Sequence, residues 1–348
     1  MQRNISSIYA WIRHINELQH PGTCMVRVSA PGKCILFGEH AVVYGKPAVA
    51  VAIDARMTID IQASDTWKMN DVILDKELHP HLNFLVNDMG ITTREIRSIT
   101  TTSELFPAAG LGSSAALSSA LATGLLIETN SPVTGDLRHI SWMAHMAEAE
   151  SQGGKASPTD TATSTFGGCV ILSDKKEDYC EWMFTSKLEV NGKENSWEIH
   201  KIELPTEIED AWLVIGYTGI QSPTSEMVQK VSELLKNEPS KIREINEIEE
   251  ITKKGVNALA NGNLEKLGLA MNECHEVLKS LGVSCKELDE MVNVARESSL
   301  GSKMTGAGGG GCMLALTLNP EETAKKIEQM GGKTIISKLG AEGVRVEK

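Results

Sequence analysis

The chain has 348 residues and a formal net charge of −12, with 41% hydrophobic and 23% charged residues. It is too apolar to be disordered and long enough for about two domains. The acidic balance excludes a general nucleic-acid coat or a binder of anionic membrane surfaces, because both need basic surface. Aromatic residues are only 4%, while glycine reaches 30 residues, so the places where glycine gathers carry information. The seven cysteines are odd in number and contain no C-x-x-C pair. In a chain this long they read as thiols in a reducing cytoplasm, not as a disulfide framework. Cys274-His275 has no second pair with which to build a zinc site.

Residues 1–24 read as an N-terminal extension before a natural start near Met25. Their weak pattern of Ile5, Ile8, Ile12 and Ile15 lacks the Arg and Ser richness of a transit peptide. Met25 to Ser29 alternates as a strand and Pro31-Gly32 breaks it; Pro47 to Ile53, Met57 to Ile61 and Ile96 to Thr102 are further strands. Helices are predicted over Ser113 to Ile127 and Leu137 to Glu150, followed by a small-residue segment from Gly153 to Gly168. Cys169 to Leu172 and Trp212 to Tyr217 read as buried strands, and 224–298 as helical, with Gly262 and Gly282 as stops. A glycine-rich turn (306–311) leads into a strand from Cys312 to Leu318, a helix from Glu321 to Met330 and a last strand from Thr334 to Ser337. The longest uncharged stretch, Leu105 to Ile127, holds Pro107 and glycines, and its apolar part is too short to cross a bilayer. Strands lead and helices fill the centre, so the expected class is α+β, in two layers with a cleft between them, not a doubly wound sheet.

The glycines cluster in three places. In Pro107-Ala-Ala-Gly-Leu-Gly-Ser-Ser-Ala-Ala116, Gly110 and Gly112 free the backbone to approach a ligand. Ser113 and Ser114 then open a helix whose unpaired N–H groups and dipole favour phosphate. The plain alternative is a serine helix cap. This is not a Walker A loop, and Gly38 to Gly45-Lys46 is not one either, since Pro47 stands where a hydroxyl should follow. The second cluster, Lys303-Met-Thr-Gly-Ala-Gly-Gly-Gly-Gly-Cys312, contains G-x-G-x-x-G but precedes a strand, so a dinucleotide fingerprint fails. The third, Gly32 to Gly45, crowds Lys33, Glu39 and His40 between glycine turns. Each of these could be a solvated loop charge. Asp160 is the only carboxylate from Ser151 to Ser173, and its plain alternative is a helix cap among threonines.

In this order the three motifs resemble those of the GHMP family of small-molecule kinases. The wording Gly38-Glu-His-Ala-Val-Val-Tyr-Gly45, followed by Lys-Pro-Ala, points within that family to members acting on mevalonate. The resemblance covers residue 25 to the C-terminus. It implies a two-lobed fold with the active site in the cleft. The N-terminal domain (25–205) would be of the ribosomal S5 domain 2-like type with a left-handed βαβ element, and the C-terminal domain (206–348) ferredoxin-like. It implies transfer of the γ-phosphoryl of ATP to the primary hydroxyl of (R)-mevalonate. Pro107, Ala108, Ala109, Gly110, Leu111, Gly112, Ser113, Ser114, Ala115, Ala116 and Leu117 would then hold the triphosphate, with Lys303, Gly306 and Gly308 closing the phosphate side. Mg²⁺ would be held by Ser114 and by Glu148, favoured over Glu150 although Gly153-Gly154 disturbs the register. Asp160 would be the general base with Lys33 beside it, and Glu39, His40 and Thr218 would line the acceptor site. The partners would be ATP and mevalonate, with no nucleic acid and no membrane, in a cytoplasmic enzyme that could be a homodimer. Alternatives are a related kinase for phosphomevalonate, a sugar or homoserine, or a non-catalytic nucleotide binder. The motifs hold Lys33, Lys46, Lys155 and Lys303 but no arginine cluster for a phosphorylated acceptor.

Overall fold

In the computed structural model, residues 25–91, 96–129, 131 and 135–348 are described, and the extension 1–24 lies outside them. Pro31-Gly32 does not end the first strand. β1 (Val26–Phe37) continues through it against β2 (Ala48–Ala63), and the ladder slips register between Pro31 and Lys33. Proline has no N–H to give the ladder, and an irregularity at that point absorbs the loss while re-aiming the next side chain. The two strands expected between Pro47 and Ile61 are likewise one. The start of β2 pairs with β6 (Cys169–Ser173) and its end with β5 (Arg97–Ser103). Between them Asp54 leaves the sheet: its N–H donates to Ser337 Oγ at 2.8 Å and its carboxylate accepts from Lys338 N at 2.7 Å.

Two hairpins absent from the sequence reading complete this sheet. They are β3 (Lys68–Met69) with β4 (Val72–Ile73), and β7 (Glu181–Val190) with β8 (Lys193–Ile202). The order is β4-β3-β5-β2-β6-β8-β7, with β1 beside β2 and a last short strand, β13 (Arg345–Val346), beside β1. The second sheet is antiparallel in the order β10-β11-β9-β12, built from β9 (Trp212–Tyr217), β10 (Gly301–Thr305), β11 (Cys312–Thr317) and β12 (Lys333–Lys338).

Helices α1 (Pro80–Asp88), α2 (Ser113–Glu128), α3 (Leu137–Ser151) and α4 (Thr159–Phe166) precede or divide the strands of the first sheet. The last of these lies inside the small-residue segment that the sequence reading left without an element. Helices α5 (Thr224–Asn237), α6 (Ile242–Ala260), α7 (Leu264–Ser280), α8 (Lys286–Arg296) and α9 (Pro320–Gln329) accompany the second sheet. One buried apolar cluster runs through both parts, from Leu36, Ile59 and Leu121 to Ile248, Met271 and Leu314. The seam is visible at Gly255 of α6, where any Cβ would run into the ring of Phe37 at the end of β1. Among the described residues no helix is long and apolar enough to cross a membrane.

Candidate active site

The three glycine-bearing segments meet in space. Leu111 O accepts from Lys33 N at 2.9 Å, and His40 Nε2 donates to Ala307 O at 2.8 Å. A Cβ placed on Gly311 would lie 3.6 Å from Ala109 O. Segments that are separate in the chain therefore face one another across a narrow gap.

The loop before α2 is wound through left-handed backbone at Ala108 (φ 51°), Gly110 (φ 76°) and Gly112 (φ 72°). Gly112 is itself the N-cap, and no side chain caps the helix. The alternative of a serine cap is thereby corrected, because Ser113 and Ser114 already stand inside α2. Ala116 N bonds Gly112 O at 2.9 Å, and the N–H groups ahead of it have no intrahelical acceptor. Nothing lies within 4 Å of where a Cβ on Gly110 would project. An uncapped helix N-terminus beside open space is the arrangement that receives an anion.

Beneath this loop lies Lys33. Its ammonium donates to Gly110 O at 3.1 Å and sits 3.2 Å from Asp160 Oδ2. Gly112 packs on its stem so closely that a Cβ would come within 2.8 Å of Lys33 Cγ. Asp160 is in the first turn of α4, whose N-cap is Pro158 with no side-chain cap bond. That corrects the capping alternative for Asp160. The Lys33 side chain is 7% exposed and that of Asp160 40%. A buried cation thus orients an accessible carboxylate, which can accept a proton from a hydroxyl while the ammonium steadies the resulting oxyanion.

At the N-terminus of α2, Ser114 Oγ donates to Glu148 Oε1 at 2.5 Å, and Ser118 Oγ, one turn on, donates to the same oxygen at 2.9 Å. Gln152 Nε2 donates to Glu148 Oε2 at 2.7 Å. His81, at the start of α1, places Nε2 3.0 Å from both Ser114 Oγ and Glu148 Oε1. Burial opposes ionisation of Glu148, but His81 and the two serine hydroxyls outweigh it, so the carboxyl titrates below its ordinary range. Glu150 instead reaches Lys76 at 3.6 Å, with its side chain 47% exposed. Among the described residues no three His, Cys, Asp or Glu side chains gather as a metal-holding group. The adjoining hydroxyl and carboxylate are hard oxygen donors that fit Mg²⁺ when phosphate and water complete its shell.

Glu39 and Lys303 pair with each other inside the protein. The Lys303 ammonium donates to Glu39 Oε1 and, at 2.6 Å, to Met304 O. Lys303 is 0% exposed, and its ammonium is held by Glu39 in the interior. Burial raises the Glu39 carboxyl, and Lys303 offsets part of that shift. His40 has left-handed backbone, φ 61°, and burial holds its imidazole below the ordinary pKa. Thr218 Oγ1 donates to Gly311 O at 2.9 Å, tying the end of β9 to the glycine loop. At Gly306 a Cβ would meet open space, whereas at Gly308 it would collide with Val283 O. The sequence reading missed His81, Ser118 and Gln152. Only the Ser114/Ser118 spacing, one helical turn, was visible beforehand.

Residues 78–168 match the GHMP kinase N-terminal domain and residues 256–335 the GHMP kinase C-terminal domain. The chain is 32% identical to the mevalonate kinase of Pyrococcus furiosus, over 93% of this chain and 98% of that one. It is 34% identical to the mevalonate kinase of Archaeoglobus fulgidus, over 92% and 99%. The crystal structure of the Methanococcus jannaschii mevalonate kinase superposes with a TM-score of 0.72 at 26% identity, covering 92% of this chain and 99% of that one. The chain belongs to the GHMP kinases and, within them, to the mevalonate kinase family.

Proposed function

We propose that the chain transfers the γ-phosphoryl group of ATP to the primary hydroxyl of (R)-mevalonate, giving 5-phosphomevalonate and ADP in the mevalonate route of isoprenoid biosynthesis. The observation that carries this reading is the Lys33–Asp160 pair, 3.2 Å apart, beside the uncapped N-terminus of α2. Phosphoryl transfer needs positioning and neutralisation of charge more than covalent chemistry. Asp160 accepts the hydroxyl proton as the acceptor oxygen bonds to the γ-phosphorus and the bond to the ADP oxygen breaks. Lys33 stabilises the incipient alkoxide, and the proton leaves Asp160 to solvent after release.

Backbone N–H groups of the Pro107–Leu117 loop hold the triphosphate, and Ser114 with Glu148 would hold Mg²⁺. When bound there, that ion would supply positive charge that neutralises the phosphates. His40 and Thr218 line the acceptor side. Glu39 is buried and works from behind, through Lys303 and the backbone carrying His40. The division into 25–205 and 206–348, a homodimer and a cytoplasmic location belong to the same reading. Light scattering of the purified protein checks the dimer.

A coupled ADP-release assay over mevalonate, phosphomevalonate, galactose and homoserine tests the reading. Mevalonate should be turned over with a kcat/KM at least about a hundredfold above the others. A faster rate with another acceptor would move the assignment to a related kinase. Tight ATP binding without turnover of any acceptor would refute catalysis.

A further inference from the structure

Ser114 Oγ, Glu148 Oε1 and His81 Nε2 form a triangle with sides of 2.5, 3.0 and 3.0 Å. Three neighbouring ligands of an octahedral ion stand about 3 Å apart when each lies about 2.1 Å from the metal. The triangle therefore has nearly the size of one octahedral face. It adjoins the uncapped N-terminus of α2, where phosphate oxygens and water would take the opposite face. Two of its corners are hard oxygens and the third is an imidazole nitrogen.

His81 is not needed to keep Glu148 hydrogen-bonded. Ser114 and Ser118 already donate to Oε1, and Gln152 donates to Oε2. Yet His81 is the second residue of α1, directly after Pro80, with its side chain only 16% exposed. It is held against the two oxygens by its position at the start of α1 and not by a surface accident.

We propose that His81 is a third protein ligand of the divalent cation at Ser114 and Glu148, binding through Nε2 with its proton carried on Nδ1. The inference rests on the nucleotide site proposed above and extends it. A nitrogen corner favours the borderline cations Mn²⁺ and Co²⁺ over Mg²⁺, relative to a site made only of oxygens. The full-length protein should thus hold Mn²⁺·nucleotide markedly better than an oxygen-only site would.

Electron spin echo modulation of the full-length protein with Mn²⁺ and ADP tests this without any variant. Natural-abundance protein should show modulation from a directly bound ¹⁴N, and protein grown with ¹⁵N-histidine should shift it to the ¹⁵N pattern. The chain has nine histidines, so His81→Ala and His81→Gln assign the signal, which should vanish in both. The ratio of Mn²⁺ to Mg²⁺ affinity, measured by calorimetry in the presence of ADP, should fall about tenfold in these variants, as expected for a lost ligand. Bound Mn²⁺ and ADP without histidine coupling in the unmodified protein would overturn the proposal and leave His81 as a hydrogen-bond partner of Glu148. Failure of Mn²⁺ and ADP to bind together at all would instead overturn the nucleotide site, and the proposal with it.

Discussion

Replacing Lys303 by Met tests whether the interior pair with Glu39 is a structural clasp between the loop after β1 and the strand β10. Both side chains are almost wholly inaccessible, and Glu39 Oε2 has no hydrogen-bond partner among the described residues. Removing one member of a buried pair costs about 3–5 kcal/mol when the other stays charged. Glu39 can reduce that cost by taking a proton. Burial already raises its carboxyl, and the Lys303 ammonium is the main influence pulling it down. Without the lysine the folded-state pKa rises further above the unfolded value near 4.3. A carboxyl raised on folding binds more protons folded than unfolded, so stability is greatest at low pH and falls as pH climbs through the folded pKa. The slope is about 1.4 kcal/mol per pH unit in that window. The wild type shares the direction, so the difference between the two proteins should widen by roughly 1–3 kcal/mol from pH 5 to pH 7. Urea unfolding followed by tryptophan fluorescence at both pH values measures it. The double variant Glu39→Gln/Lys303→Met should lose the extra pH dependence. A Lys303→Met protein as stable as wild type at pH 7, or a gap of equal size at both pH values, would refute the clasp.

Asp160→Asn should lower kcat by about 10²–10⁴, the range for loss of a general base, while ATP affinity changes less than about threefold. Lys33→Met should reduce kcat more than it raises KM, because its charge matters most as the alkoxide forms; steady-state kinetics with each substrate varied separates the two. Gly112→Ala forces a side chain into left-handed backbone at φ 72° and against Lys33 Cγ. It should cost about 1–2 kcal/mol of stability and lower kcat through the displaced lysine, read by melting and turnover together. Glu148→Gln should raise the Mg²⁺ concentration needed for half-maximal rate at least about tenfold, whereas Glu150→Gln should leave it within twofold.

The strands and helices that were legible share one property: their pattern is local. The Ala- and Leu-rich run opening at Ser113 became α2, and Trp212–Tyr217 became β9. The β7–β8 hairpin was missed although Asn191-Gly192, both at positive φ, is a strong turn signal. Its strands are mostly polar on one face, so hydrophobicity hid them. Helix α4 was missed because Thr, Ser and Ala give no apolar stripe; five of its threonine and serine residues are nonetheless buried. Pro31-Gly32 was read as a break, and Asp54 fell in the gap between two predicted strands; a slip in register at the first and a bond from the other sheet at the second accompany one continuous strand.

The site divides along the same line. That glycine, serine and a helix start would make an anion cradle follows from neighbouring residues, since backbone conformation and helix termini are set within a few positions of the chain. The pairing of Lys33 with Asp160 was expected from the family resemblance alone, and nothing local distinguishes Glu148 from Glu150. Their separation of roles comes from which side of α3 faces α2: Glu148 meets Ser114 and Ser118 in the interior, and Glu150 meets Lys76 at the surface. Lys303 shows the limit most sharply. In the chain it is a cation beside a glycine-rich turn, the usual sign of a phosphate contact. In the fold it lies 264 residues from its carboxylate yet in contact with it. Burial makes an unpaired charge so costly that the partner brought by packing, and not the motif around it, decides what the lysine does.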